Sequence, residues 1–127
     1  MSGVPQFASS ALTRGAQVNV ANSNRDGTGT IATIYTAPAP GARIDEISIK
    51  ASVTTTAGMV RLFLHDGTNF FLWKEIAIPA ITASATAAAY EAVLGNLGLL
   101  LQSGWSLRAS TEKAENFNVM ITRGGEF

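Results

Sequence analysis

The pattern of apolar positions from Met59 to Pro79, MVRLFLHDGTNFFLWKEIAIP, reads as one long β-hairpin. Successive side chains on a strand point to opposite faces. Val60, Leu62 and Leu64 therefore share one face, and Met59, Arg61, Phe63 and His65 the other. Beyond the turn, Phe70, Leu72, Lys74, Ile76 and Ile78 alternate with Phe71, Trp73, Glu75 and Ala77. Apolar residues dominate both faces, which predicts a hairpin near the centre of a sheet. Its turn is His65-Asp66-Gly67-Thr68-Asn69, where Asp-Gly tolerates the positive φ angles of a type I′ turn.

The same alternation recurs along the chain. Val18 and Val20 predict a short strand. Thr30–Thr36 is β-branched and aromatic and reads as another, ended by Pro38, Pro40 and Gly41. In Arg43–Thr54, Ile47, Ile49, Ala51 and Val53 oppose Glu46, Ser48, Lys50 and Ser52, the pattern of a strand with one wet face. Ala80–Ala89 has no amphipathic period and predicts a loop or long crossover. Tyr90–Leu94, Leu99–Leu101, Trp105–Ser110 and the stretch from Phe117 follow as strands separated by Gly- and Asn-rich turns. A chain that stops just after a strand, at Phe127, suggests a C-terminus built into the fold. No helix is predicted. The fold class is all-β, an antiparallel β-sandwich of about eight strands, jelly-roll-like. Residues 1–16 have no convincing period and read as an extended N-terminal arm, leaving 17–127 as a single β-sandwich domain. Pro5, Phe7, Leu12 and Arg14 are the residues of the arm expected to bind a partner.

Composition narrows the function. The chain has 127 residues, enough to bury a core without disulfides or metals. Only 14% are charged, and nine acidic residues balance nine basic ones. Nothing in that balance attracts nucleic acid or an anionic membrane. Weak colloidal repulsion instead favours life inside an assembly. There are no cysteines, which excludes disulfides, thiol catalysis and cysteine-bound metal. The first twenty residues lack the basic start and apolar run of a secretory leader, so an extracellular role calls for another exit, such as lysis. No stretch approaches the roughly 20 apolar residues that span a bilayer.

Catalysis is hard to assemble. The single histidine, His65, and its neighbour Asp66 sit on opposite strand faces, so the carboxylate cannot orient the imidazole as a triad requires. Asp45 and Glu46, the only adjacent carboxylates, diverge for the same reason and make a poor acid–base couple. Asn22, Asn24, Asp26 and Gly27 copy the start of an EF-hand loop, but the twelfth position holds Thr33 in place of the required Glu, so the segment reads as a polar turn. No cofactor or metal is expected. An aromatic set of Trp73, Trp105, Tyr35, Tyr90, Phe70 and Phe71 could stack on sugar rings, with Glu75 on the face of Phe71 and Trp73 to bind a hydroxyl. The plainer reading places these rings in the core and in cross-strand pairs.

Several runs resemble known sequences: Asn24-Arg25-Asp26-Gly27-Thr28-Gly29-Thr30, Arg43-Ile44-Asp45-Glu46-Ile47, Thr54-Thr55-Thr56-Ala57-Gly58-Met59-Val60-Arg61-Leu62, His65-Asp66-Gly67-Thr68-Asn69 and Ser103-Gly104-Trp105-Ser106-Leu107-Arg108-Ala109-Ser110-Thr111. From about Asn24 onward the chain resembles small β-sandwich structural proteins of tailed bacteriophages and prophages, of the head cement or decoration kind. The motifs are strand and turn signatures and carry no catalytic chemistry. The resemblance implies a non-enzymatic virion protein on the capsid surface, made in the host cytoplasm. It further implies a homotrimer that bridges subunits of the major capsid protein. Similar folds occur in tail and receptor-binding parts, so a glycan-binding module associated with the tail or fibre is the alternative.

Overall fold

A computed structural model of the chain describes residues 8–127. These residues form ten strands and no helix: β1 (Ser10–Ala11), β2 (Arg14–Val18), β3 (Ala32–Thr36), β4 (Gly41–Ala51), β5 (Gly58–His65), β6 (Phe70–Ile78), β7 (Glu91–Leu94), β8 (Leu99–Gln102), β9 (Ser106–Thr111) and β10 (Phe117–Glu126). Every strand pair is antiparallel. One sheet holds β10 and β4 at its centre. β1 and β2 lie end to end along the far side of β10, and β7 and β8 end to end along the far side of β4. The other sheet has the order β3-β9-β5-β6. The two pack face to face as a β-sandwich around one core.

Counting each end-to-end pair as one lane gives eight lanes. The first pairs with the eighth, the second with the seventh, the third with the sixth and the fourth with the fifth. This is one long hairpin, with its tip at His65–Phe70, rolled over so that the third lane meets the eighth and the fourth meets the seventh. The core follows from the register. Ile47 opposes Ile121, Ile49 opposes Val119 and Ala51 opposes Phe117. Leu62 opposes Ala109 and Leu64 opposes Leu107 in the other sheet. Their inward faces supply the apolar burial that drives packing of the two sheets.

Three expectations change. The Met59–Pro79 hairpin forms, but only β5 is central; β6 is an edge strand. Its turn is longer than a two-residue type I′ loop. His65 pairs with Phe70, and four residues lie between them. The Asp66 carboxylate accepts the Thr68 and Asn69 backbone N–H groups at 2.8 and 2.7 Å, and this Asx-type capping sets the loop length. The N-terminal boundary also moves. β1, β2 and Leu12 belong to the sandwich, so the part of the expected arm from Ser10 onward is a lane of the domain. Pro5 and Phe7 lie outside the described residues.

Tyr35 and Glu126 tie the two sheets together at one edge. The Tyr35 hydroxyl donates to Glu126 Oε2 at 2.6 Å, and the Ser10 hydroxyl donates to Oε1 of the same carboxylate at 3.3 Å. Burial, then the Glu126 hydrogen bond, pushes the Tyr35 hydroxyl well above its usual pKa.

Candidate functional site

The outward face of the six-stranded sheet is unlike an ordinary solvated sheet. Across its middle the register aligns Gly15, Met120, Ser48 and Val93. A second row aligns Ala11, Gly125, Arg43 and Leu100. Three large apolar side chains stand out into solvent: Met120 at 39%, Val93 at 56% and Leu100 at 65% exposure. Gly15 has no side chain beside Met120, and a shallow groove of about 360 Å³ opens there, walled by Gln17 and Asn118. Small residues and exposed apolar residues thus interrupt the polar positions of this face.

Beyond the cross-strand pair Lys50 and Glu91, its charges gather where both central strands are irregular. Ile44 and Ile47 are both fully buried, so the two residues between them, Asp45 and Glu46, both face outward. The register with β10 shifts on either side of Arg123, which turns Thr122 and Arg123 the same way. Bulges of this kind re-aim side chains. The result is a cleft of about 400 Å³ lined by Arg43, Asp45, Glu46, Arg123 and the Gly95–Gly98 loop. The loop is pinned by Leu97 N–H donating to Asp45 O at 2.9 Å. Arg43 Nε donates to Asp45 Oδ1 at 2.8 Å, Thr122 Oγ1 donates to Glu46 Oε1 at 2.8 Å, and Arg123 Nε lies 4.0 Å from Glu46 Oε2. The expected divergence of Asp45 and Glu46 is therefore corrected: the bulge places them in one cleft. Each carboxylate has an arginine beside it.

The aromatic residues divide between the two faces of the other sheet. Phe71 and Trp105 stack with ring centroids 5.9 Å apart and planes 12° apart. Trp73 and Trp105 pack on the core, while Phe71 stays 45% exposed. Tyr35 is buried. Glu75, expected on the face of Phe71 and Trp73, is on the opposite face. A bulge in β6 against Leu62 and Phe63 breaks the period of two, and Glu75 instead pairs with Arg61 across the strand.

That opposite face is covered by the Asn-rich segment. The Asn22 side chain donates to the Thr28 and Thr30 carbonyls at 3.0 and 2.9 Å and accepts Asn24 N–H. Asp26 accepts both the hydroxyl and the N–H of Thr28. The polar atoms that suggested a calcium loop are consumed in closing the loop on itself. Among the described residues no group of three His, Asp or Glu side chains could hold a metal. The closed flap lies on the sheet through Asn22 N–H to Thr111 O at 2.8 Å and through Arg25 Nε to Glu75 Oε2 at 2.6 Å.

The Arg25 hydrogen bond, then that of Arg61, holds the Glu75 carboxyl below its ordinary value of 4.5. The Thr28 hydroxyl and N–H likewise lower Asp26. A carboxyl whose folded pKa is depressed contributes stability above its unfolded pKa and loses it as pH falls through the folded value. The melting temperature should therefore drop as pH falls below about 4.5, and Glu75→Gln should flatten that acid limb. An equally steep limb in the variant would remove Glu75 as a cause.

Of the residues expected to bind a partner, Leu12 is 2% exposed and packs in the domain's own core. It is not free to anchor a neighbour. Arg14 is exposed on β2. The residues that form the outward face, Met120, Val93 and Leu100, were not singled out in sequence. Each fits an ordinary alternation, and only the lane order places them on one surface. No protein-family model, curated protein or solved structure matches the chain.

Proposed function

We propose that the chain is a non-enzymatic phage virion protein that decorates the head, binding the major capsid protein as a homotrimer and bridging its subunits. The observation that carries this reading is the outward face of the six-stranded sheet. Its exposed Met120, Val93 and Leu100 surround paired charges, and docking surfaces combine apolar anchors and arginine with an otherwise charge-poor centre. The phage-like strand and turn motifs support the same assignment. So does the antiparallel two-sheet sandwich.

Rebinding to stripped, expanded heads tests the proposal. The wild-type protein should bind saturably and run as a trimer by light scattering or on the shell. Val93→Glu, Leu100→Glu and Met120→Glu together should weaken binding at least about 100-fold, since buried anchors are typically worth 1–2 kcal/mol each. Full binding by the folded triple variant would remove this face from the attachment surface.

A second reading rests on the stacked pair of Phe71 and Trp105, whose exposed ring could receive a sugar. Saccharide-dependent quenching of tryptophan fluorescence, without head binding, would move the protein to a tail or fibre and replace the decoration role.

A further inference from the structure

We propose that the Ala21–Thr30 flap is a lid over an oxyanion site formed by Arg61 and Ser110. These two residues are cross-strand partners on β5 and β9, on the face beneath the flap. The Arg61 side chain is 4% exposed, and Ser110 is fully buried. Arg61 Nη1 and Ser110 Oγ are both buried and have no hydrogen-bond partner among the described residues. Buried polar atoms without partners are rare in folded proteins, and a bound water, ion or ligand commonly satisfies them.

The charge balance states which kind of group would fit. Arg25 Nε and Arg61 Nε donate to one and the same oxygen, Glu75 Oε2, at 2.6 and 3.0 Å. Two guanidinium groups thus share one carboxylate, and arginine cannot shed its proton. Arg108 adds a third cation to the same face, 5.5 Å from the Phe70 ring centroid. An almost fully buried cation that shares its carboxylate partner with a second guanidinium is costly. A group with negative oxygens would accept from Arg61 Nη1 and from the Ser110 hydroxyl. The ligand class is therefore a phosphate or carboxylate, arriving either as a free ion or as an acidic group of a partner chain.

Access requires the flap to lift. Its internal hydrogen bonds, from Asn22 and Asp26, close it into a unit. It is held to the sheet mainly by the Arg25–Glu75 pair, the Asn22 backbone bond and the seat of Gly27 on Phe70. Gly27 has φ +88 and leaves no room for a side chain there, since an added Cβ would fall on the Phe70 ring. This close approach seats the flap directly on the Phe70 side chain.

The test uses the intact protein and two probes, inorganic phosphate and acetate, each against sodium chloride of equal ionic strength. At about ten times its dissociation constant, a bound probe should raise the melting temperature by about 4 °C. It should also shift the Ser110 amide and Arg61 Nε–H resonances. Ser110→Ala should weaken binding by about tenfold, the loss of one hydrogen bond to a charged group. Arg61→Gln should abolish binding; if that variant does not fold, Ser110→Ala decides alone. A response to phosphate only assigns a phosphate ligand, and a response to acetate as well assigns the general oxyanion class. No stabilisation beyond sodium chloride, or equal binding by folded Ser110→Ala, overturns the proposal.

Discussion

A chain lacking residues 1–16 is expected not to fold. The deletion removes β1 and most of β2, which together form the first lane. It eliminates the pairs Ser10–Glu126, Ala11–Gly125, Arg14–Ile121, Gly15–Met120 and Ala16–Val119. It also removes the Leu12 N–H bond to Gly124 O and the Ser9 N–H bond to Glu126 O. Losing the Leu12 side chain alone forfeits about 2–3 kcal/mol of burial. The lost ladder adds about 1 kcal/mol for each hydrogen bond. Set against a typical total stability of about 5–15 kcal/mol, these losses consume most or all of it. β10 would also become an open edge and invite aggregation. Circular dichroism and thermal melting of the deleted chain should show no cooperative transition. A cooperative, unshifted melt after removal of 1–16 would show that the first lane contributes nothing to the fold.

Gly41→Ala should cost about 3 kcal/mol, a fall of roughly 10 °C in melting temperature. Gly41 begins β4 with φ +134, a conformation that side chains disfavour. An added Cβ would lie 2.6 Å from the Leu101 carbonyl oxygen. That oxygen belongs to backbone in the neighbouring lane, so it cannot swing aside as a flexible side chain would. Strain and collision therefore add. Gly67, at the hairpin tip, provides the contrast. It has φ +103 but nothing within 4 Å of an added Cβ, so Gly67→Ala should cost only the strain, about 1 kcal/mol. Urea denaturation of both variants measures the difference. Equal costs would show that the Leu101 collision is relieved without penalty.

Much of the fold was legible because burial on one face imposes a period of two. β4, β5, β6 and β9 were readable to within a few residues from isoleucine, leucine and valine spacing. The first lane was not. Ser-Ala-Leu-Thr-Arg-Gly-Ala-Gln-Val shows no steady alternation, and its position is set by pairing with β10, more than a hundred residues away. The bulges were equally hidden. A single inserted residue reverses every later face assignment on a strand. For this reason a strict period of two puts Glu75 beside the wrong neighbours and sends Asp45 and Glu46 to opposite faces. The Asn-rich flap was recognisable as a turn. That it lies over Arg61 and Ser110 depends on chain reversal in three dimensions, which local composition does not record.

The rolled-hairpin order has a consequence for how the chain reaches its fold during synthesis. The β5–β6 tip is local and can close as soon as it emerges. β10, however, pairs with both the first and third lanes, and it is made after all of them. Until residues 117–126 leave the ribosome, β4 has no partner on one side and Leu12 has no core to enter. At ordinary elongation rates of about 5–20 residues per second, those apolar edges wait for seconds beside other nascent chains. Non-local pairing of this kind is also slow once the chain is complete. Yield in the cell should therefore depend less on the final stability of the sandwich than on how well its unfinished edges are shielded.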